Sequence, residues 1–263
     1  MTRDDERSRG DAGWRMADLA REPLSRPSAA EQSSPVTDEP PENIVVIGSG
    51  GHGREIAEVC LAVARAEPGR VHLVGVIDDG PRAGDLARLI SAGIAYLGTV
   101  AAWPWSSYAC SFVVGVSDPT ARRRIANSLV AHSRPATLVH PDATLGSQVA
   151  LGPGCVVFAG ARLSTTVRLG AHVHLYHNVT VGSDAVVDDF TTVCSAATVG
   201  SGTHTGAGVM VGAGAVVLDQ RRVGDGSTVA AAACVVGDVP PDTVVTGVPA
   251  TARSPKHSLR ATS

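Results

Sequence analysis

A six-residue repeat fills most of the second half of the chain and restricts its fold more than any other feature. From Val139 to Val235 every sixth residue is Leu or Val in sixteen of seventeen positions, the exception being Thr205. A period of six fits neither an α-helix nor a plain alternating strand. It is typical of a parallel β-solenoid, in which three short flat faces close one coil. The repeat therefore predicts a three-sided prism of about five coils.

The residues around each repeat position fit the same prism. The position two before the aliphatic residue is usually small or β-branched, as at Ala143 and Val149, which suits a narrow interior. Glycine often follows the aliphatic residue, as at Gly146 and Gly152, where a side chain would strain the bend. Aromatic residues make up only 3% of the chain, as expected for a prism too narrow to hold rings.

The segment before the repeat alternates predicted strands and helices. The pattern is strand, glycine-rich loop, helix, and then two further strands, the last of which is followed by a helix with Pro119 at its start. This order predicts a small parallel sheet with a ligand at the carboxyl ends of its strands. The predicted strands are 44–47, 71–77 and 111–116, and the predicted helices run from about 55 to 66 and from 119 to 129.

Three segments at the strand ends are candidates for binding a ligand. A glycine loop lets backbone N–H groups and a helix N-terminus approach an anion closely. An acidic pair after the second strand could accept sugar hydroxyls, and a serine follows the third strand. A tight strand-to-helix turn is the alternative interpretation of the loop. The candidate residues are Gly48, Ser49, Gly50, Gly51, His52, Gly53, Asp78, Asp79 and Ser117.

The composition of the chain excludes some classes of function. The 22 basic and 25 acidic residues are nearly balanced, and no basic stripe is present in the sequence, so nucleic-acid binding is not expected. No apolar run approaches a membrane span, and membrane insertion is not expected. Five scattered cysteines without a CxxC pair predict a reduced, cytoplasmic protein. We expect a disordered leader at 1–42, a Rossmann-like domain at 43–134, the prism at 135–253 and a tail at 254–263.

A glycine-loop domain, a hexapeptide prism and a closing Gly247-Val248-Pro249-Ala250 together resemble one known family. This is the family of sialic-acid O-acetyltransferase-like and bacillosamine-type amino-sugar N-acetyltransferases. The resemblance covers roughly residues 43–253. It implies a Rossmann-like α/β domain followed by a left-handed parallel β-helix, a homotrimer, and acetyl-CoA bound between neighbouring prisms. It also implies that the α/β domain binds a nucleotide-sugar and that no metal takes part.

The resemblance also assigns positions to the chemistry of acyl transfer. A general base takes a proton from the sugar amine or hydroxyl while it attacks the thioester. Small residues along the donor groove correspond to Gly212, Ala213, Ala231 and Gly247, and Thr192 stands where characterised relatives have a second histidine near the thioester. The fold by itself would also require small residues at these positions.

The sequence departs from the family at the base. Ser183 occupies the position of the family's catalytic histidine, while the following acid is kept as Asp184. The nearest replacement is His177, six residues earlier, which places it on the adjacent face of the same coil. Three interpretations stay open: a base shifted to His177, weak catalysis by positioning alone, and a catalytically impaired protein that only binds a sugar-nucleotide.

A different class of function rests on three clustered histidines. His172, His174 and His177 include a spacing that metal sites use, and a zinc-dependent hydratase like the γ-carbonic anhydrases is an alternative. The residues that such enzymes carry one coil earlier are missing. The ordinary interpretation of His172 and His174 is that they are solvated turn residues at a trimer interface.

Overall fold

The structure, a computed structural model, describes residues 40–253. A four-stranded parallel sheet comes first along the chain. Its strand order is β2-β1-β3-β4. The strands are Glu42–Ile47 (β1), Val71–Ile77 (β2), Ser111–Val114 (β3) and Arg134–Pro135 (β4), and the helices are Gly51–Ala66 (α1), Ala83–Ser91 (α2) and Pro119–Leu129 (α3).

Alternating side chains of β1 bury both faces of this sheet. Ile44 and Val46 pack in one apolar cluster with α1, whereas Val45 and Ile47 pack in another with α3. A strand that is covered on both sides reads as a continuous apolar run, as 44–47 does. The carboxyl ends of β1 and β3 therefore emerge between the two helices.

The repeat folds into a parallel β-solenoid of two-residue strands, as predicted. Strands 18 residues apart pair with each other, so each coil contributes one strand to each of three faces. The docking face contains Leu138–Val139 (β5), Val156–Val157 (β8), His174–Leu175 (β11), Thr192–Val193 (β14), Met210–Val211 (β17), Thr228–Val229 (β20), Val244–Thr246 (β22) and the antiparallel Thr251–Ala252 (β23).

The other two faces complete the prism. The six-strand face contains Thr144–Leu145 (β6), Arg162–Leu163 (β9), Thr180–Val181 (β12), Thr198–Val199 (β15), Val216–Val217 (β18) and Cys234–Val235 (β21). The five-strand face contains Ala150–Leu151 (β7), Arg168–Leu169 (β10), Val186–Val187 (β13), His204–Thr205 (β16) and Arg222–Val223 (β19).

The second residue of most strands points into the prism and forms its core. Val157, Leu175 and Val193 are fully buried in one apolar cluster that runs the length of the solenoid. The small residues of the turns, such as Ala161 and Ala185, fill the remaining interior. The tube is therefore filled by aliphatic and small side chains, which explains the scarcity of aromatic residues.

The turns of the prism stack into three corners, which we number in chain order. The first corner joins the docking face to the six-strand face and includes residues 176–179, 194–197, 212–215 and 230–233. The second corner joins the six-strand face to the five-strand face and includes 182–185 and 200–203. The third corner returns the chain to the docking face and includes 170–173 and 188–191.

The N-terminal domain packs on the docking face through both of its long helices. Val156 and Phe158 share an apolar cluster with Ile56 and Cys60 of α1. On the other side, Arg122 of α3 is fully buried against the third corner. The carboxyl edge of the sheet is thereby held beside the N-terminal coils of the solenoid, which contain residues 156–191.

Several predicted boundaries need correction. Helix α1 begins at Gly51 instead of about residue 55, because the glycines of the loop already take helical conformation. Strand β3 ends at Val114 instead of 116, and β4 was not predicted. The solenoid has about six turns instead of about five, since β22 continues the docking face beyond the repeat.

The predicted leader lies outside the described residues except for 40–42, where Glu42 opens β1, and the predicted tail at 254–263 lies outside them as well. All five cysteines are free thiols. Among the helices of residues 40–253, none is long and apolar enough to cross a bilayer.

Candidate active site

The glycine loop is held tightly against the end of β3. A Cβ atom on Gly53 would lie 1.8 Å from the carbonyl oxygen of Gly48, and one on Gly115 would lie 2.5 Å from the Cα atom of Gly53. Glycine is required at both positions because no side chain fits between the two backbones. This contact fixes the first turn of α1 at the carboxyl edge of the sheet.

The N-terminus of α1 is suited to an anion. Its N-cap residue Gly50 supplies no side-chain cap, and the first turn contains no acidic residue. The first N–H groups of a helix have no partners within the helix and carry a partial positive charge. A phosphate or carboxylate placed here would receive hydrogen bonds from the backbone.

The two acidic residues after β2 have structural partners. Asp78 Oδ2 accepts hydrogen bonds from the backbone N and Oγ of Ser49 at 2.7 and 2.6 Å. Burial by itself raises the pKa of Asp78, but the hydrogen bonds from Ser49 and Gly80 outweigh burial and hold this pKa below its usual value. Asp79 Oδ1 accepts from the backbone N of Val100 at 2.8 Å. Both carboxylates therefore shape the loops around the edge of the sheet.

A cluster of polar and aromatic side chains forms where the glycine loop meets the first corner of the solenoid. The hydroxyl of Tyr176 lies 2.7 Å from Nδ1 of His52, joining the two domains. The ring of Phe158 packs beneath both, with ring centroids 5.1 Å from Tyr176 and 5.7 Å from His52. The same phenylalanine lies 5.0 Å from the ring of His177. His177 thus stands beside the glycine loop, which sequence reasoning did not establish.

Two further polar side chains lie beside this cluster. Glu55 Oε2 lies 3.7 Å from His52 Nδ1, and its side chain is 49% exposed. The contact with His52 lowers the pKa of Glu55, and the proximity of His177 adds to the effect. The exposed Ser117, which follows β3, lies beside the Tyr176 hydroxyl. We name this group, made of His52, Glu55, Ser117, Tyr176 and His177, the acceptor cleft.

His172 and His174 are buried, so the interpretation of them as solvated turn residues is wrong. His172 is 4% exposed and stacks on Phe190 with ring centroids 4.9 Å apart. His174 is fully buried, and its Nδ1 lies 2.8 Å from Nε2 of His52. Burial lowers the pKa of His172 to about 4 and lowers the pKa values of His174 and His52. All three rings are neutral at pH 7.

These neutral histidines predict that the folded protein loses stability in acid. In the unfolded chain a histidine binds its proton near pH 6.5, whereas in the folded chain these rings bind it only at lower pH. The free energy of unfolding therefore falls as the pH drops from about 7 toward 4, by about 1.4 kcal/mol per pH unit for a single fully buried ring such as that of His174.

Urea denaturation at a series of pH values measures this slope. The His174→Asn variant removes one titrating group while keeping a donor that can reach His52. The free energy of unfolding of this variant should depend less steeply on pH than that of the wild type. The difference in slope should correspond to nearly one bound proton. Equal slopes for the two proteins would show that His174 is not held neutral.

Arg122 connects the sheet to the solenoid. Its Nε donates to the carbonyl of His172 at 3.0 Å, and its two terminal nitrogens donate to five further oxygens. These acceptors are the carbonyls of Val116, Ser117, Phe190 and Thr191 and the hydroxyl of Thr192. Burial lowers the pKa of Arg122 to about 10, so it stays protonated at neutral pH. The Ser117 loop is thereby anchored at the edge of the acceptor cleft.

Thr192 lies in the domain interface. It is fully buried, and its hydroxyl donates to the carbonyl of Ser117 at 2.9 Å while it accepts from Arg122. Both hydrogen-bonding roles of the hydroxyl are used within the chain. This placement does not support the contact with an acyl donor that the resemblance implied for Thr192.

Ser183 and Asp184 lie away from the acceptor cleft, on the second corner. The hydroxyl of Ser183 lies 2.8 Å from that of Ser164, one coil earlier. Asp184 accepts a hydrogen bond from the hydroxyl of Thr166. His177 and Ser183 occupy successive corners of one coil, so the full width of the six-strand face separates them.

The predicted donor residues lie on the same first-corner column as His177. Residues 18 apart stack on the first corner, where Ala196 N donates to the His177 carbonyl at 2.9 Å and Ala232 N donates to the Ala213 carbonyl at 2.9 Å. Ala213, Ala231 and Gly247 are exposed. Gly212 differs, because a Cβ there would lie 2.4 Å from the backbone N of Ala231, so the stacking of coils alone requires it.

The three clustered histidines do not converge on a common point. His172 lies on the third corner and His177 on the first, while His174 between them is engaged with His52. Among residues 40–253, no group of three His, Cys, Asp or Glu side chains is arranged to hold a metal ion. This geometry does not support the zinc hydratase alternative.

Sequence reasoning missed four residues of the site. They are Arg122, Glu55, Phe158 and Tyr176. One signal was available for Arg122, because it shares the buried face of α3 with Pro119, Ala126 and Leu129, where a charge is unexpected. The other three have no signal in the sequence, since the docking of the two domains brings them together.

Comparisons with known proteins agree with this architecture. Residues 43–129 match the family model of the PglD N-terminal domain. Among curated proteins, no sequence matches the chain significantly. Among solved structures, WeeI from Acinetobacter baumannii AYE is 20% identical with a TM-score of 0.69, and the alignment covers 81% of this chain and all of that one. At this identity the likeness shows the fold alone.

Two further structures have somewhat higher identity. The acetyltransferase domain of PglB from Neisseria gonorrhoeae FA1090 is 25% identical with a TM-score of 0.58, covering 81% of this chain and 100% of that one, and it has also been solved with acetyl coenzyme A. A histidine-to-alanine mutant of GDP-perosamine N-acetyl transferase from Caulobacter crescentus, in complex with CoA and GDP-perosamine, is 26% identical with a TM-score of 0.58, covering 81% and 97%.

These comparisons confirm the predicted fold class and the predicted resemblance. The α/β domain is followed by a solenoid that matches a left-handed β-helix. Residues 43–129 match the PglD N-terminal domain, and the chain as a whole has the same two-domain architecture as the solved sugar N-acetyltransferase structures to which it is similar.

Proposed function

We propose that this protein transfers an acetyl group from acetyl-CoA to an amino or hydroxyl group on the sugar of a nucleotide-sugar. The observation that carries the proposal is the acceptor cleft, where an anion-binding helix N-terminus and the histidine of the first corner meet. Solved structures with the same two domains hold CoA and GDP-perosamine, or acetyl coenzyme A. The proposed donor and the proposed acceptor therefore both correspond to molecules that are bound in similar structures.

The acceptor would bind with its phosphates at the start of α1. The backbone N–H groups of Gly51, His52 and Gly53 point toward that position as the first residues of the helix. The sugar would then extend toward His177 in the acceptor cleft. Ser49 and Asp78 shape the loop, and Ser117 closes one side of the cleft.

The donor would follow the exposed column of Ala213, Ala231 and Gly247 on the first corner. Its thioester would approach His177, which lies on the same column. We assign His177 as the general base. As the sugar nitrogen or oxygen attacks the thioester carbonyl, His177 takes its proton, the carbon–sulfur bond breaks, and the thiolate of CoA leaves and is protonated. Backbone N–H groups of the corner would stabilise the oxyanion.

We propose that the protein works as a cytoplasmic homotrimer. The side chains of Leu218 and Val236 are 43% and 49% exposed and lie one coil apart at the end of the six-strand face. Exposed aliphatic residues in register support the burial of this face against another copy of the chain. The five free cysteines are consistent with a reducing compartment.

One observation favours a second candidate function, that of a binding protein without catalysis. At the second corner Ser183 replaces the family's catalytic histidine, and both Ser183 and Asp184 are hydrogen-bonded within the solenoid. A serine without a base beside it is a poor proton acceptor. A chain of this kind would bind a nucleotide-sugar but release no thiol from acetyl-CoA.

A direct assay separates the two functions. Purified protein is incubated with acetyl-CoA and a panel of nucleotide-linked amino-sugars and hydroxylated sugars, and free thiol is followed with time. We expect thiol release that depends on one acceptor, together with a product heavier by one acetyl group. Binding of a nucleotide-sugar by calorimetry without thiol release from any acceptor would support the binding protein instead.

A further inference from the structure

Three buried or half-buried side chains form one hydrogen-bonded chain across the domain interface. Tyr176 Oη lies 2.7 Å from His52 Nδ1, and His52 Nε2 lies 2.8 Å from His174 Nδ1. His174 ends the chain in the interior, where it is fully buried. Tyr176 ends it at the acceptor cleft, beside the exposed Ser117. Each neutral imidazole donates one hydrogen bond and accepts one, so the chain runs in one of two directions.

The buried end of the chain favours one direction. Among residues 40–253, Nε2 of His174 has no hydrogen-bond partner. A proton on that nitrogen would be a buried donor without an acceptor, which is a costly arrangement. A proton on Nδ1 avoids this cost, because His174 then donates to Nε2 of His52. His52 must in that case carry its own proton on Nδ1.

The cleft end of the chain favours the same direction independently. The carboxylate of Glu55 lies 3.7 Å from His52 Nδ1. A negative charge beside this nitrogen stabilises a proton on it. His52 Nδ1–H therefore donates to the oxygen of Tyr176. The hydroxyl hydrogen of Tyr176 then has no acceptor among the three linked side chains and is directed away from His52, toward the side where the exposed Ser117 lies.

The chain cannot instead carry a proton away from a substrate. Such a relay would end with a second proton on His174, which is fully buried. Burial and, to a smaller extent, the nearby guanidinium of Arg122 lower the pKa of His174 well below its usual value. The chain is therefore a device that orients a hydrogen, and the proton acceptor of the reaction lies elsewhere.

We propose that the Tyr176 hydroxyl is a preoriented hydrogen-bond donor to a sugar oxygen of the acyl acceptor, and that His174 sets its direction through His52. The proposal rests on the proposed acyl transfer for the identity of the ligand. A sugar oxygen fits better than a phosphate, because Tyr176 is adjacent in sequence to His177, where the reacting group of the sugar would lie. His174 acts as a positioning residue, since it is too deeply buried to touch a ligand.

Neutron diffraction of a deuterated crystal without ligand tests the orientation independently of any activity. We expect deuterium on Nδ1 of both His52 and His174, and the deuterium of the Tyr176 hydroxyl directed away from His52. Deuterium on Nε2 of His174 would mean that the chain runs in the opposite direction, and the proposal would be overturned even if acyl transfer is established.

Steady-state kinetics test the contact with the acceptor. We expect Tyr176→Phe to raise KM for the nucleotide-sugar by about tenfold or more, with KM for acetyl-CoA unchanged, because one hydrogen bond to the acceptor is lost. The Kd of the free nucleoside diphosphate should not change. If Tyr176→Phe raises the Kd of the free nucleoside diphosphate by the same factor as the KM for the nucleotide-sugar, the contact is with a phosphate, and the proposal is contradicted.

Two variants of His174 test its positioning role. His174→Leu removes the donor to His52 and should raise the same KM by a smaller factor, whereas His174→Asn keeps a donor near the position of Nδ1 and should restore the wild-type value. Tyr176→Phe should have less effect in the His174→Leu background than in the wild type. Fully additive effects of the two changes would show that His174 does not act through Tyr176.

Discussion

Replacement of His177 by alanine is expected to reduce the turnover number for acyl transfer by roughly 10²–10⁴-fold. His177 is the histidine that lies both beside the glycine loop and on the first-corner column. Removal of a general base slows the proton transfer, while the binding surfaces for both substrates remain. The measurement is thiol release from acetyl-CoA at saturating acceptor, with the oligomeric state checked by light scattering.

Two further variants make the result specific. His204→Ala is the matched control, because this histidine lies on the five-strand face and pairs with Asp188 at 2.8 Å, away from the acceptor cleft. It should retain wild-type turnover. Ser183→His places a histidine on the second corner, at the position that the resemblance implies for the base. If Ser183→His raises turnover while His177→Ala leaves it unchanged, the assignment of His177 is wrong and the wild-type chain is impaired at the family's base.

Replacement of Arg122 by methionine should lower the free energy of unfolding by about 3–5 kcal/mol. The guanidinium is fully buried and donates to six oxygens of the Ser117 loop, the third corner and Thr192 of β14. Methionine fills a similar volume but leaves the carbonyls of Val116, His172 and Phe190 buried without this donor. Urea denaturation at fixed protein concentration measures the loss.

Arg124→Met is the control for this change. Arg124 lies two residues later in α3 and is exposed, so its replacement should change stability by no more than about 0.5 kcal/mol. Arg122→Lys keeps the charge without the planar fork and should fall between the two. Equal stabilities of the Met variants at 122 and 124 would contradict the role of Arg122 as the connection between the domains.

Local patterns predicted most of the fold. The bounds of β2 and α3 agree with the apolar run 71–77 and with Pro119 at a helix start, because strand and helix signals are read from neighbouring residues. The unbroken repeat from Val139 predicted the solenoid, since each aliphatic residue is buried by the residue 18 positions away. Errors remained where tertiary contacts decide, as at β4 and the start of α1.

The candidate site was predicted only in part. The glycine loop, Ser117 and His177 were identified as residues with suitable chemistry, but nothing in their spacing showed that they form one cleft. The assignment of Asp78 and Asp79 as ligands of a sugar stays a prediction, and both carboxylates have partners within the chain. Thr192, expected near the acyl donor, is buried beneath Arg122.

The sequence by itself determined the two domains, the position of the glycine loop and the absence of a histidine at 183, because these follow from residue type and period alone. Only the tertiary structure decided which residues face each other across the domain interface. His52 and Tyr176 are 124 positions apart and meet because α1 packs on the docking face. Arg122 is a buried connection between the domains for the same reason. Contacts between domains depend on how two surfaces fit together, and no repeat or spacing in the sequence predicts them.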